Sequence, residues 1–293
     1  MREFQGKTAV VTGAASGIGR GLVDLFASAG MNVVLADVEE KMLASAVAEL
    51  EAQGHSVIGV GVDTRSRESV GQLAQRSFDA FDKVHILVNN AGVASLGEGG
   101  RGVWEIADED WDWVMGVNFN GVLYGLQAFV PHMLAHGEEG HIVNTASLAG
   151  LLPGGGPYSV SKHGVLALTE GLYRNLKDRS AAISASVLCP GFVNTRIFEA
   201  ERNRPKELEA LNPTEPDEIA VAMGTAMLQQ GKQPSEIAEI VLQSIQDENF
   251  YILPHPAWDS MVRQRVENVL ERVEPVTMDL EDMMRRRAAG EMF

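Results

Sequence analysis

The chain has 293 residues, of which 45% are hydrophobic and 22% are charged. This length and composition are typical of a globular protein with a sizeable core, built as one large α/β domain or two small ones. The formal net charge of −16 would repel phosphate backbones and anionic lipids, so we expect no nucleic-acid partner and no membrane partner.

The sequence contains no signal of export and no metal-ligand pattern. No uninterrupted apolar run approaches the roughly 20 residues of a membrane span, and no secretion signal is visible, so the predicted location is the cytoplasm. The single cysteine, Cys189, lies in an apolar run and is expected to be a buried core thiol. The seven histidines form no cluster with cysteine or glutamate, so no metal site is predicted.

Short runs rich in valine and isoleucine alternate with amphipathic stretches of helix length, such as 41–53 and 66–81. The runs are too short for helices and lack strict alternation, as expected of strands that are covered on both faces. Strand–helix–strand repetition predicts right-handed crossovers, and therefore an α/β fold with a doubly wound, seven-stranded parallel sheet. The predicted strands are 8–11, 33–36, 57–62, 86–88, 141–144, 183–188 and 251–253.

A glycine-rich segment with the spacing Gly-x-x-x-Gly-x-Gly connects the first predicted strand to the first helix. Glycines at such a turn let the backbone approach a pyrophosphate without a Cβ in the way. The helix offers free N–H groups and a partial positive charge to the phosphates. A glycine pattern alone is weak, but this position favours a dinucleotide site over a plain turn. The residues predicted to bind there are Gly13, Ser16, Gly17, Ile18 and Gly19.

Two acidic residues close the next two predicted strands. Asp37 ends the second strand, where a carboxylate can accept hydrogen bonds from the adenine ribose and would repel a 2′-phosphate. Because no lysine or arginine lies in the glycine segment or next to Asp37, the predicted cofactor is NAD rather than NADP. Asp63 and Thr64 follow the third strand and are predicted to reach the adenine. Either aspartate could instead cap the helix that follows it.

A candidate catalytic group lies past the middle of the chain. Tyr158 and Lys162 are four positions apart, which on a helix puts them on one face, one turn apart. A free tyrosine titrates near ~10, too high for an efficient base at neutral pH, but a lysine ammonium beside it would lower that pKa. Ser147 could hold a substrate oxygen, and Asn118 could hold a water that relays protons to the lysine. Each residue alone has a plainer explanation, but their order after the glycine segment favours catalysis.

Together, these segments resemble the short-chain dehydrogenase/reductase family, whose seven-stranded layout is of the Rossmann type. Segments 89–92 and 190–195 also match, so the resemblance covers residues 7 to about 195 and the strand layout extends it to about 255. The resemblance implies that Tyr158 is the general acid/base, that Lys162 lowers its pKa and holds the nicotinamide ribose, that Ser147 orients the substrate oxygen and that Asn118 supports a proton relay. It also implies cofactor contacts at Asn90, Ala91, Gly92, Tyr158, Lys162, Pro190, Gly191, Val193 and Thr195.

Family resemblance further implies a homotetramer or homodimer packed through the helices predicted over 110–136 and 158–178. The connection from Ser147 to Tyr158 contains the three consecutive glycines 154–156 and is slightly shorter than in many members. The region from 252 onward is similar to a subgroup that includes Cα-dehydrogenases acting on aryl-ether alcohols, which implies a bulky apolar or aromatic alcohol or ketone as substrate.

We predict a cofactor-binding and catalytic domain over 1–255, with 196–232 as a substrate lid because a long segment there usually covers a site. Residues 256–293 are predicted to be a helical extension whose apolar face docks on the body or on a neighbouring subunit. Residues predicted to line the substrate pocket are Ser95, Leu96, Leu148, 154–156, Phe192, Ile197, Phe198, Met223 and Met227. The two methionines could instead be core residues, as methionines at helical spacing more often are. Trp104, Trp111 and Trp113 are interpreted as core or subunit-contact residues.

The sequence therefore predicts an NAD-dependent oxidoreductase that acts on CH–OH groups of a small-molecule substrate. Two alternatives stay open. One is an NADP-linked carbonyl reductase, and the other is a non-catalytic dinucleotide-binding sensor or scaffold. The group of Ser147, Tyr158 and Lys162 favours an enzyme, because a pure binder has no need of a tuned phenol.

Overall fold

A computed structural model describes residues 1–95, 101–209, 215–275, 285 and 289. Seven parallel strands form one sheet in the order β3-β2-β1-β4-β5-β6-β7, which confirms the predicted α/β class. All seven predicted strands are found, with each end within one residue of its expected place. The strands are β1 Thr8–Thr12, β2 Asn32–Asp37, β3 Val57–Gly61, β4 Ile86–Asn89, β5 Gly140–Thr145, β6 Ile183–Leu188 and β7 Tyr251–Ile252.

Helices cover both faces of the sheet. In β2, Val33 and Leu35 pack into the core on one face and Val34 and Ala36 into the core on the other, because successive strand side chains point to opposite faces. Both faces are therefore dry, which explains the near-continuous apolar strands. One layer contains α1 Gly17–Ser28, α2 Glu40–Ala52 and α8 Pro234–Asp247, and the other contains α3 Arg67–Phe81, α5 Gly121–His136 and α6 Pro157–Asp178.

The strand order places a crevice at the centre of the sheet. From β1 the chain moves outward to β2 and β3, and then returns to β4 on the opposite side of β1. Loops that leave β1 and β4 therefore diverge at the carboxyl edge, which is where ligands bind in open α/β sheets. Thr12 and Asn89 are the last residues of these two strands.

A π-helical turn interrupts the helical stretch predicted over 110–136. Helix α4 (Asp108–Met115) continues into the π turn Gly116–Asn120 and then into α5. Such turns insert an extra residue into an α-helix and often occur at functional sites. Asn118 lies in this turn and is fully buried, so its side chain points into the protein.

The remaining described helices lie beyond β6. Helix α7 (Glu215–Gln229) follows the 3-10 turns of the predicted lid, and α9 (Asp259–Glu271) follows β7. In α9, Met261 packs beside Leu148 and Leu152, whereas Val269 and Leu270 are largely exposed. Among the described residues, the start of α9 contacts the body, and the role of the whole extension stays a prediction. Residues 210–214 of the lid and 276–284, 286–288 and 290–293 of the extension lie outside the described residues.

Candidate active site

A cleft of about 940 Å³ opens at the carboxyl edge of the sheet, between the loops that follow β1 and β4. Two predicted site residues, Gly19 and Asn118, lie behind its wall rather than on its surface. All the others line the cleft, namely Gly13, Ser16, Gly17, Ile18, Asp37, Asp63, Thr64, Asn90, Ala91, Gly92, Ser147, Tyr158, Lys162, Pro190, Gly191, Val193 and Thr195.

The glycine segment forms a cradle at one end of the cleft. Gly13 and Gly17 have φ angles of +65° and +55°, which side-chain-bearing residues rarely adopt. A Cβ on Gly19 would lie 2.0 Å from Gly13 O, so the first turn of α1 packs directly on the loop. No acidic residue lies in that turn, and the Ser16 side chain makes no capping bond. The helix start is therefore suited to an anion such as the pyrophosphate of a dinucleotide.

Thr12 joins the two loops that flank the crevice. Its Oγ1 accepts hydrogen bonds from Asn90 N at 2.9 Å and from Ala91 N at 3.0 Å. In return, Asn90 Nδ2 donates to Thr12 O at 3.0 Å. These bonds fix the predicted cofactor contacts at 90–91 against the glycine cradle. Thr12 begins the matching glycine segment, but the sequence predicts no particular role for it, because a threonine at a strand end has many ordinary roles.

Asp37 is buried at the end of β2 and faces the cleft. Its Oδ2 accepts a hydrogen bond from Ala15 N at 2.9 Å, and its Oδ1 accepts one from Glu39 N at 3.0 Å. The N-cap of α2 is Glu39, so Asp37 precedes the helix rather than capping it. The carboxylate instead orders the glycine segment and places a negative charge at this end of the cleft.

Asp63 and Thr64 lie beside Asp37 at the outer end of the cleft. Asp63 accepts hydrogen bonds from Arg65, with 2.7 Å between Asp63 Oδ2 and Arg65 Nη2. The N-cap of α3 is Ser66, whose side chain accepts from Ser69 N, so Asp63 does not cap this helix. Contact of either residue with an adenine stays a prediction.

Helix α6 brings Tyr158 and Lys162 to the opposite end of the cleft. The helix begins at Pro157, whose fixed φ suits the first helical position. Lys162 is 2% exposed, and its Nζ donates to Thr145 O at 3.0 Å and lies 5.6 Å from the centre of the Tyr158 ring. Burial lowers the pKa of Lys162 to about 8, because desolvation disfavours the ammonium. The spacing of four thus places both side chains as predicted.

Ser147 lies between β5 and the first 3-10 turn, on the same wall as Tyr158. Its Oγ accepts from Ala149 N at 3.1 Å and lies 3.4 Å from Pro190 O, to which it can donate. The residue is 9% exposed and lines the cleft. The hydroxyl is therefore held in place where a substrate oxygen could reach it.

Asn118, in the π turn, connects the loop after β4 to helix α6 behind the surface of the cleft. Its Oδ1 accepts from Val93 N at 2.8 Å, and its Nδ2 donates to Val93 O at 3.0 Å and to Ser161 Oγ at 3.1 Å. Ser161 Oγ in turn donates to Tyr158 O at 2.7 Å. The amide group therefore fastens the loop after β4 to the first turn of α6. A role in a proton relay stays a prediction.

The end of the cleft beside Tyr158, where a substrate is predicted to bind and which we call the substrate end, is lined largely by apolar and aromatic side chains. Phe192 and Trp258 meet edge to face, with 5.9 Å between ring centres, so the C-terminal segment supplies part of the wall. Trp113 is buried, as expected of a core residue. It also lines the cleft, which the sequence did not predict. Other residues of this wall are Val93, Ser95, Val117, Leu148, Leu152, Pro153, Ile197, Phe198, Ala200, Val221 and Leu228.

Several predicted pocket residues do not line the cleft. Gly154 faces Ser159 and Gly155 faces Val103, so the glycine loop packs on its neighbours. Met223 and Met227 are also absent from the lining, because α7 presents Val221 and Leu228 to the cleft. The expected contribution of 154–156 is therefore wrong, and the burial of Met227 agrees with the alternative that it is a core residue. Leu96 lies outside the described residues.

The described part of the segment predicted to be a lid, 196–232, is anchored at two places. The Arg204 guanidinium lies 4.2 Å from the centre of the Trp113 ring and pairs with Asp110 and Glu201. The Arg204 and Asp110 side chains are 5% and 3% exposed, so this ion pair is buried. Farther along the cleft, Arg202 forms a salt bridge with Glu39 beside Asp37. The segment therefore extends from the substrate end of the cleft, at Trp113, to the outer end, at Glu39.

Two further expectations concern other chemistry. Cys189 is fully buried, and burial raises the pKa of its thiol to about 12, which confirms a core thiol. Across the described ranges, no three side chains of histidine, cysteine, aspartate or glutamate are grouped as metal ligands. Over the same part of the chain, no helix combines the length and apolar character that crossing a membrane requires.

Comparison with known proteins agrees with the fold and the cleft. The family model for short chain dehydrogenase matches residues 7–206. A short-chain dehydrogenase/reductase from Burkholderia phymatum, solved in complex with NAD, superposes with a TM-score of 0.91 at 44% identity and covers 95% of this chain and 99% of its own. The C alpha-dehydrogenase of Sphingobium sp. (strain NBRC 103272 / SYK-6) is 34% identical over 289 residues, which are 98% of this chain and 92% of that protein.

A third relative matches about two thirds of the chain. The 1-deoxy-11-beta-hydroxypentalenate dehydrogenase of Streptomyces exfoliatus is 42% identical over 198 residues, which are 67% of this chain and 70% of that protein. The family match, the parallel sheet and the cleft with its tyrosine and lysine all agree. The chain therefore belongs to the short-chain dehydrogenase/reductase family and is an NAD(P)-dependent oxidoreductase.

Proposed function

We propose that this protein transfers a hydride between NAD(H) and a secondary alcohol or its ketone, with Tyr158 as the general acid/base. The observation that carries the proposal is the position of Tyr158 and Lys162 on the first turns of α6, in the same cleft as the glycine cradle. A bound nicotinamide ring would supply or accept the hydride. The protein's own residues must then hold the substrate oxygen and move its proton.

The proton step is assigned to the phenol of Tyr158. In alcohol oxidation the phenolate takes the hydroxyl proton, and in ketone reduction the phenol returns it. The ammonium of Lys162 favours the phenolate electrostatically, and the contact with Thr145 O holds that charge beside the ring. Ser147 is proposed to orient the substrate oxygen, because its hydroxyl is fixed on the same wall. Asn118 is proposed to support a relay from Lys162.

We propose NAD as the cofactor rather than NADP. Asp37 places a carboxylate at the outer end of the cleft, where it would accept hydrogen bonds from a ribose diol and repel a 2′-phosphate. The related Burkholderia phymatum structure contains NAD, which supports this choice. Residues 13–19, 63–64, 90–92 and 190–195 are proposed to complete the binding site.

The proposed substrate is an apolar or aromatic alcohol or ketone of considerable size. Phe192, Trp258, Trp113 and Leu152 give the substrate end aromatic and aliphatic walls. Lys162, which also lines the cleft, is assigned to catalysis. Buried apolar walls favour substrates that lose little hydration on entry.

The domain division, the oligomeric state and the location are also proposed. We assign 1–255 to the cofactor-binding and catalytic domain, 196–232 to a lid and 256–293 to an extension that contributes Trp258 to the wall. A homotetramer or homodimer would pack through α4, α5 and α6. The proposed location is the cytoplasm.

The test is a panel of apolar secondary alcohols supplied with NAD⁺ or NADP⁺ at alkaline pH, followed by absorbance of the reduced cofactor. We expect turnover of aromatic or polycyclic alcohols with kcat/KM higher for NAD⁺. Higher kcat/KM with NADP⁺ would favour the carbonyl reductase alternative. Tight NADH binding without turnover of any alcohol or ketone would favour the sensor alternative.

A further inference from the structure

A buried histidine from the far end of the chain holds the loop that follows β6. His255 comes three residues after β7 and is 2% exposed. Its Nδ1 accepts a hydrogen bond from Gly191 N at 3.0 Å, and its Nε2 lies 2.9 Å from Phe192 O. Because Nδ1 must accept, the proton of the neutral ring is on Nε2 and is donated to Phe192 O.

The fit of the ring against the loop is close. A Cβ built on Gly191 would lie 3.1 Å from His255 Cγ and 3.0 Å from the Leu148 side chain, so only a glycine packs there without displacement. Burial lowers the pKa of His255, which keeps the ring in the neutral form that both hydrogen bonds require. The contact therefore fixes the position of the ring and the directions of two backbone groups of the loop.

The same residue reaches the substrate wall. The His255 carbonyl oxygen accepts from Trp258 N at 3.1 Å, and the Trp258 ring packs on Phe192. Gly191, Phe192 and Trp258 all line the cleft. His255 is thus connected on one side to the backbone of the loop after β6 and on the other to the aromatic wall.

We propose that His255 is a positioning residue, which orients the 190–193 backbone so that the nicotinamide amide and the aromatic substrate wall keep a fixed relation. This inference rests on the proposed function, since it takes the loop after β6 to hold the nicotinamide. His255 does not line the cleft, so it acts through Gly191, Phe192 and Trp258 rather than by touching substrate. The adenosine half of the cofactor would be held by Asp37, Asp63 and Thr64, which His255 does not contact, so its binding is not expected to depend on His255.

The test compares His255→Phe with a matched change elsewhere, His141→Phe. His141 is equally buried, at the amino end of β5, where its Nε2 contacts Ser186 Oγ at 2.7 Å. Both variants replace a buried histidine by an aromatic ring of similar size. NADH and ADP-ribose affinities would be measured for each, because ADP-ribose lacks the nicotinamide. Steady-state kinetics with the best alcohol of the panel would follow.

We expect His255→Phe to weaken NADH binding about tenfold with ADP-ribose affinity unchanged, since a lost hydrogen bond corresponds to roughly that factor. His141→Phe should change neither affinity. His255→Asn retains an acceptor for Gly191 N and should lose less than His255→Phe, which gives a second variant if the phenylalanine does not fold. Equal loss of NADH and ADP-ribose, or no loss in either His255 variant, would overturn the inference. A wild-type protein that binds neither ligand would instead overturn the proposed function.

Discussion

Lys162 Nζ donates a hydrogen bond to Thr145 O at 3.0 Å and lies 5.6 Å from the centre of the Tyr158 ring. Thr145, at the carboxyl end of β5, thereby holds the buried Lys162 ammonium beside the Tyr158 phenol. That burial opposes the charge and lowers the pKa of Lys162 to about 8. We therefore expect the buried charge of Lys162 to lower the free energy of unfolding, as is common where a charge is needed beside a proposed proton-transfer group, here Tyr158.

The first prediction is that Lys162→Met raises stability and abolishes turnover. The lysine pKa is lower in the folded than in the unfolded protein, so its charge destabilises the fold fully below pH 8. This penalty disappears as the pH rises from about 8 toward the unfolded pKa near ~10.4. At pH 7 the variant should be more stable by roughly 1–3 kcal/mol, less the value of the lost hydrogen bond.

Urea unfolding at pH 7 and pH 10 measures this effect. The difference between Lys162→Met and wild type should shrink at the higher pH, because the folded wild type is then largely neutral at this position. A variant less stable than wild type at pH 7, with a difference that does not depend on pH, would show that the buried charge is not the dominant contribution.

The second prediction concerns cofactor choice. Asp37→Ala combined with Val38→Arg should shift preference toward NADP⁺, because a repelling carboxylate is removed and an arginine is added at an exposed neighbouring position. The ratio of kcat/KM values for NADP⁺ and NAD⁺ should rise by about 100-fold or more. Val38→Arg alone is the control and should still prefer NAD⁺. The explanation fails if the single variant switches as completely as the double variant.

The third prediction tests the glycine cradle. Gly19→Ala places a methyl group 2.0 Å from Gly13 O and 2.7 Å from Asn90 Nδ2, so backbone must move. We expect a loss of about 1–3 kcal/mol in unfolding free energy and weaker NADH binding. Gly71→Ala is the matched control, since nothing lies within 4 Å of a Cβ built there in α3. That variant should be unchanged or more stable by up to about 1 kcal/mol.

The fourth prediction concerns the anchor of the lid. Asp110→Ala removes one partner of the buried Arg204 guanidinium, which keeps Glu201 and the face of Trp113. Unfolding free energy should fall by roughly 1–3 kcal/mol, below the usual loss for a fully broken buried pair. The KM for substrate should rise while the Kd for NADH stays nearly constant. Asp112→Ala, on an exposed position of the same helix, should change neither constant. A parallel rise in both constants would contradict an Arg204 anchor that acts on the substrate end alone.

Local patterns predicted all seven strands but not their order. Runs such as 33–36 are apolar because both faces of β2 are covered, so burial is written directly in the sequence. The return of the chain to β4 beside β1 depends on contacts between distant segments. The apolar stripe of α9 likewise predicted docking. In the described chain Met261 and Val262 pack on the body, whereas Val269 and Leu270 farther along the helix are exposed.

The candidate catalytic residues could be predicted from the sequence because they lie at short fixed spacings or next to strand ends. Tyr158 and Lys162 share a helix face, which a spacing of four encodes. His255 and Trp258 carry no such signal, since each is an isolated residue that meets the loop at 191–192 only through the folded sheet. Asn118 was identified, but its three hydrogen bonds to Val93 and Ser161 follow from a π turn that periodicity does not encode.

The most direct test of the central claim is Tyr158→Phe, measured for both NADH binding and turnover. The phenylalanine keeps the ring packed beside Val93 and Trp113 and removes only the hydroxyl. We expect an NADH Kd close to that of wild type, with kcat/KM for the alcohol lower by about 10²–10⁴. Turnover within a few-fold of wild type would contradict it, because the proton would then be moved by another group.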